Sequence, residues 1–246
     1  MLNLNIDGNL NDLFTQAMDS LMNNPSTWDA EQTPRILSYN NLLQASSTDF
    51  SFDLSHVGFT KTRWARYVHQ YIDSDRLRIW LDSLKDISKR GDDLFRSKDA
   101  IRRPREHSHG SCWLGISFRL APPTIILYSR VAEFPTRAAL ELTMINLMGK
   151  EIKSSVGLTE DIHLVWFISS GFLSCLHLLP WLSRNGVLGE VYARQDSVGH
   201  FVRHQIDHIN KGNVRYGPTK RMAKRLTQIK NNATIPVPID NLSLWI

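Results

Sequence analysis

Cys112, Ser129, Arg130, Glu133, Arg137 and Glu141 follow one another in a single stretch, and their types could support nucleophilic attack and anion binding. The segment from Arg105 to Arg119, REHSHGSCWLGISFR, puts His107, His109 and Cys112 in front of a run that reads as a β-strand. Imidazole and thiolate are ligands that zinc accepts, but a fourth ligand is missing and no C-x-x-C or H-E-x-x-H pattern occurs, so no metal is assigned. A nucleophile needs a lowered thiol pKa. Arg102, Arg103, Arg105 and the two histidines could supply that, and the thiolate could then attack an electron-poor carbon. The plainer alternative, favoured by composition alone, is a small buried thiol at the start of a strand.

Downstream, LYSRVAEFPTRAALEL sets Ser129-Arg130 at a strand end, then Glu133, then Arg137 in a helix's first turn and Glu141 one turn later. Arginine at such a junction suits a phosphate, because guanidinium bonds are bidentate and the helix N-terminus adds donors. Ion pairing of Arg130 or Arg137 with Glu133 or Glu141 is the competing structural reading. Farther on, RYGPTKRMAKRLTQIK aligns Lys220 with Lys224 and Arg221 with Arg225, giving two basic rows on a helix. Without interleaved aromatics these rows are weak evidence for nucleic acid.

The elements that must position these residues can be read from periodicity. Residues 1–58 suggest a helical arm, with apolar positions Leu10, Leu13, Phe14, Met18 and Leu21, followed by loop; residues 59–246 suggest one α+β domain. Within residues 60–98 two amphipathic helices are expected, the second capped by Ser74-Asp75 and closed by Gly91. CWLGISFR and TIILYSR read as strands around the turn signal Ala121-Pro122-Pro123. Pro135 then opens a helix whose face is Ala138, Leu142, Ile145, Met148 and Ile152. A strand is expected over His163–Ile168, a helix from about Phe172, and helical pattern over 186–233 with a basic end.

The 246 residues, 42% apolar, can bury a sizeable core. Two cysteines are too few for a secreted disulfide framework, and Asp7, Asp12 and Asp19 stand where a signal peptide would carry positive charge, so a cytoplasmic location is expected. The net charge of +5 permits a phosphate-bearing partner without specifying one. Residues 162–182 carry no Lys, Arg, Asp or Glu, but histidines, serines, a glycine and a proline interrupt them; a buried strand running into a helix is preferred to a membrane span.

The order of these pieces resembles thymidylate synthase: a cysteine before a strand, a strand ending in Ser-Arg, a proline-containing junction, an apolar helix, then VWFISSGFLSC as a second core strand and helix. The resemblance covers about residues 105–182 and is divergent. Cys112 lies in Gly-Ser-Cys-Trp instead of the family's Pro-Cys-His, Ser129 and Arg130 stand in swapped order, and Glu133 replaces the motif aspartate. The family's pyrimidine-reading Asn falls at Glu141, and its His-x-Tyr pair falls near Phe172-Leu173-Ser174, where neither residue is kept. An amide donates to uracil O4 and accepts from N3–H, whereas a neutral carboxylic acid donates to cytosine N3 and accepts from its amino group. An acid at this position is what separates the related deoxycytidylate hydroxymethylase, and divergent viral enzymes of base modification are the subgroup most similar.

The resemblance implies a thymidylate-synthase-like mixed sheet packed against helices and a homodimer. It also implies a methyl- or hydroxymethyltransferase acting at C5 of dCMP or dUMP with methylene-tetrahydrofolate. Cys112 and Glu141 would be catalytic, and Ser129, Arg130, Glu133 and Arg137 would bind the nucleotide. The alternative is a non-catalytic relative that holds nucleic acid or a protein partner through Arg102, Arg103, Arg105, Arg221 and Arg225.

Overall fold

Two parallel strand pairs, each bridged by a helix, organise the core. The computed structural model describes residues 2–23, 27–29, 35–52, 74–90, 94–97, 112–174, 178–179, 181–182 and 185–210. β1 (Asn3–Ile6) runs through α1 (Leu10–Asn23) and β2 (Thr27–Asp29) to β3 (Arg35–Ala45), and β1 and β3 pair in parallel. α2 (Ser74–Arg90) and β4 (Leu94–Ser97) precede the antiparallel pair β5 (Trp113–Arg119) and β6 (Thr124–Phe134). β6 then leads through α3 (Thr136–Val156) to β7 (His163–Ser174), its parallel neighbour. α4 (Leu188–Ala193) and α5 (Ser197–Asn210) follow. Among the described residues the sheet has seven strands in the order β1-β3-β7-β6-β5-β4, with β2 on β3, and its pairings are mixed. This is an α+β domain, a mixed sheet packed against helices.

α1 forms because Leu10, Leu13, Phe14, Ala17, Met18, Leu21 and Met22 recur at helical spacing and are all buried. Its start is capped reciprocally: Asn9 Oδ1 accepts from the Asn11 and Asp12 amides, and Asp12 Oδ2 accepts from the Asn9 amide. α3 is buried on most of its circumference because α2 packs on it from one side and β6 from the other. The expected face Ala138, Leu142, Ile145, Met148 and Ile152 is buried throughout. Asn146 Nδ2 donates to the Phe50 carbonyl at 2.9 Å, and Gly157 ends the helix in the left-handed region at φ 77°.

Three expectations are corrected. Residues 35–45, read as loop, form β3 in the interior of the sheet, and the helix read as an arm is part of the core. The reading failed because burial along β3 does not alternate: Ser38 and Asn41 are buried while Tyr39 and Asn40 between them are exposed. The helix expected from about Phe172 is also absent there, since β7 continues to Ser174. That extended run accounts for the uncharged stretch, and no helix among the described residues is long and apolar enough to cross a membrane.

The break in alternation recurs at the same level in three neighbouring strands. On β6, Ser129 is buried, Arg130 exposed, Val131 half-buried and Ala132 buried; on β7, Ile168, Ser169, Ser170 and Gly171 repeat that order. The β3–β7 and β6–β7 ladders both skip the rung at Ser169 while keeping register on either side. Asn40 sits at this level with φ 51°, the left-handed region that asparagine tolerates and a β-branched residue does not. The break changes which face successive residues present at one level in all three strands. Asn40→Val is therefore expected to cost about 1–2 kcal/mol and Asn40→Gly much less, as read from urea unfolding midpoints.

Candidate functional site

The antiparallel pairing of β5 and β6 brings the N-terminal end of β5 against the middle of β6. The Arg130 amide donates to the Cys112 carbonyl at 2.7 Å, and Trp113 pairs with Ser129 in the next register position. A bulge follows between Trp113 and Gly115. Cys112 is half-buried and Arg130 is exposed, whereas Trp113 and Ser129 face the core. Cys112 and Arg130, 18 positions apart, are thus closed by a hairpin into one contact.

Of the remaining expected site residues, Ser129, Glu133 and Glu141 are buried and Arg137 is exposed. Ser129 is buried and accepts a hydrogen bond from Trp166 Nε1 at 2.8 Å, so its hydroxyl is engaged in the core. Glu133 Oε2 accepts from Arg137 Nε at 3.0 Å, with Glu133 almost covered and Arg137 half-exposed. The ion-pair reading therefore holds for these two residues, and they do not present an open cationic cradle.

Glu141 is 0% exposed on α3. Burial, the largest cause, raises its carboxyl from the ordinary 4.5 to about 8; the nearby Glu133 charge adds to the rise, while Trp113 and the Arg137 charge oppose it. Trp113 lies close enough to favour the anion, yet neither carboxyl oxygen reaches a partner at good hydrogen-bond geometry among the described residues. The acid is consequently neutral near pH 7, with one donor and spare acceptor capacity held in a low-dielectric setting.

The sequence pointed to the six polar side chains but not to Trp113 and Trp166, which organise them. Trp113 follows Cys112 directly and lies near Glu141, and Trp166 anchors Ser129. Arg35, which lies on β3, places its guanidinium over the Phe172 ring at 5.3 Å, where the resemblance would have set sugar-holding residues. Arg102, Arg103, Arg105, His107, His109, Cys175, His177, Arg221 and Arg225 lie outside the described residues. Among the described residues no group of three or more His, Cys, Asp or Glu could hold a metal ion. No protein-family model matches the chain, and no curated protein matches it in sequence.

Proposed function

We propose that the chain is a one-carbon transferase acting at C5 of a deoxypyrimidine monophosphate, with dCMP preferred to dUMP. The observation that carries the preference is the complete burial of Glu141, which raises its carboxyl to about 8: a protonated carboxyl can donate to cytosine N3 and accept from its amino group, and an anion could not donate. Cys112 thiolate would add to C6, saturating the C5–C6 bond and leaving C5 nucleophilic, and Arg130 across the ladder would hold the 5′-phosphate. Because Glu141 has no exposed surface, a base reaches it on this reading only if the side chains that cover it move. The one-carbon donor, methylene-tetrahydrofolate, is named on the resemblance alone.

Release of tritium from C5-labelled dCMP and dUMP in the presence of methylene-tetrahydrofolate tests the proposal. Wild type should release label faster from dCMP, Cys112→Ser should release none, and Arg130→Ala should raise KM more than it lowers kcat. Absence of release by wild type, or undiminished release by Cys112→Ser, overturns the reading.

A further inference from the structure

Arg137 stands between two carboxyl groups, one four residues before it and one four residues after. Glu133, near the end of β6, engages it: Arg137 Nε donates to Glu133 Oε2 at 3.0 Å. Glu141 lies on the same helix as Arg137 at i+4, a spacing that makes an arginine and a glutamate neighbours on one face. Its carboxyl is nonetheless fully buried, and neither oxygen has a hydrogen-bond partner among the described residues. A buried acid that a neighbouring arginine could satisfy is thus left unsatisfied while that arginine bonds another acid.

The groups that act on the Glu141 carboxyl are Trp113 from β5, Glu133 from β6 and Arg137 from its own helix. α1 and α2, which also pack on α3, turn apolar side chains inward: Asp12 and Asp19 of α1 are exposed, as are the described charged residues of α2, Asp82 and Lys85 among them. Burial and the Glu133 charge favour the proton on Glu141, and the Arg137 charge opposes them. That opposition is outweighed, because a guanidinium stabilises a carboxylate far more through a direct bond than as a charge engaged elsewhere.

We propose that Glu133 is a positioning residue: by holding the Arg137 guanidinium at the strand end, it keeps a direct ion pair from forming with Glu141 and leaves Glu141 a hydrogen-bond donor. Without Glu133 the guanidinium turns to Glu141, which ionises and can no longer donate. Glu133 and Arg137, expected from the sequence to bind the nucleotide, act through Glu141 instead. The consequence for base choice rests on the transferase reading, in which Glu141 meets cytosine; the exchange of Arg137 between two acids does not.

NMR titration of the full chain with isotope-labelled glutamate carboxyls tests this, the Glu141 signal being the one lost in Glu141→Gln. Wild type should titrate at about 8, and Glu133→Gln should lower that midpoint by about 1–3 pH units. Glu133→Asp, which keeps the charge, should stay nearer to wild type. Part of the fall in Glu133→Gln comes from losing the Glu133 charge alone, and Arg137→Met separates the two causes. It should raise the midpoint more in the Glu133→Gln background than in wild type, because there the guanidinium bonds Glu141 directly. The Arg137 Nε–H signal answers the same question if Arg137→Met fails to fold: in Glu133→Gln it should shift through the Glu141 midpoint, and in wild type it should hold nearly constant. An unmoved midpoint in Glu133→Gln, equal effects of Arg137→Met in the two backgrounds, or an Arg137 signal indifferent to Glu141 in Glu133→Gln overturns the proposal. Tritium release is read separately. Where the transferase reading holds, the preference for dCMP at pH 7 should fall toward equality in Glu133→Gln and return below the lowered midpoint. Release from neither nucleotide removes that reading and leaves the titration to decide the role of Glu133.

Discussion

Glu141→Gln is expected to stabilise the protein, and to do so increasingly as pH rises from 4.5 to about 8. Below 4.5 the carboxyl is protonated in both folded and unfolded chains, so wild type keeps its full stability there and differs little from the amide variant. Between 4.5 and 8 the folded chain keeps the proton while the unfolded chain releases it, and wild-type stability falls with pH. Above about 8 the loss is complete, at roughly 5 kcal/mol for a shift of this size. Urea unfolding of both proteins at pH 4, 6 and 8 measures the difference directly. A gap that does not widen with pH would show that Glu141 is not held neutral by burial.

That expectation bears on function because an amide of nearly the same shape would fit the site at less cost. A protein that retains an acid there gives up stability at a position where the protonated form can do something an amide cannot. On the transferase reading that something is donation to cytosine N3. Glu141→Gln should then lose most of its preference for dCMP while folding more stably than wild type near pH 8, a separation of stability from specificity that a merely structural acid would not give.

Trp166→Ala is expected to cost about 3–5 kcal/mol, the second large effect, because the indole is 0% exposed at the centre of the sheet's inner face. Part of that loss is polar. Ser129→Ala removes the acceptor of the 2.8 Å indole hydrogen bond and leaves a buried N–H without it, at about 1–3 kcal/mol. A double-mutant cycle between Ser129→Ala and Trp166→Phe, followed by urea unfolding, isolates the pairwise energy. The same variants decide what Ser129 does. If its hydroxyl only anchors Trp166, Ser129→Ala lowers the unfolding midpoint and leaves KM for the nucleotide unchanged; if it touches substrate, KM rises in a variant of near-normal stability.

Helical periodicity carried far in this chain. The apolar faces of α1 and α3, the start of α2 near Ser74-Asp75 and the turn at Pro122-Pro123 all depend on neighbours within a turn or two, and residue types alone reveal such patterns. The apolar stretch of β7 was legible as buried strand for the same reason, though not its length. β3 was not legible. Its Tyr39–Asn40–Asn41 segment breaks alternation, and what restores it to the sheet is the matching break at Ser169 and Arg130, which lie far away in sequence.

The site divides in the same way. The sequence by itself determined that a thiol, an arginine and two acids stand at fixed intervals around a strand turn and a helix start, and that Arg137 could reach Glu133 four residues before it. Tertiary structure alone decided that Cys112 and Arg130 meet across a ladder, that Ser129 turns inward to Trp166, and that Glu141 is fully buried, which pushes its carboxyl up to about 8. The physical reason is that hydrogen-bond register and desolvation are properties of what packs against a residue. A glutamate's type fixes its ordinary pKa, and only its burial moves that value to about 8.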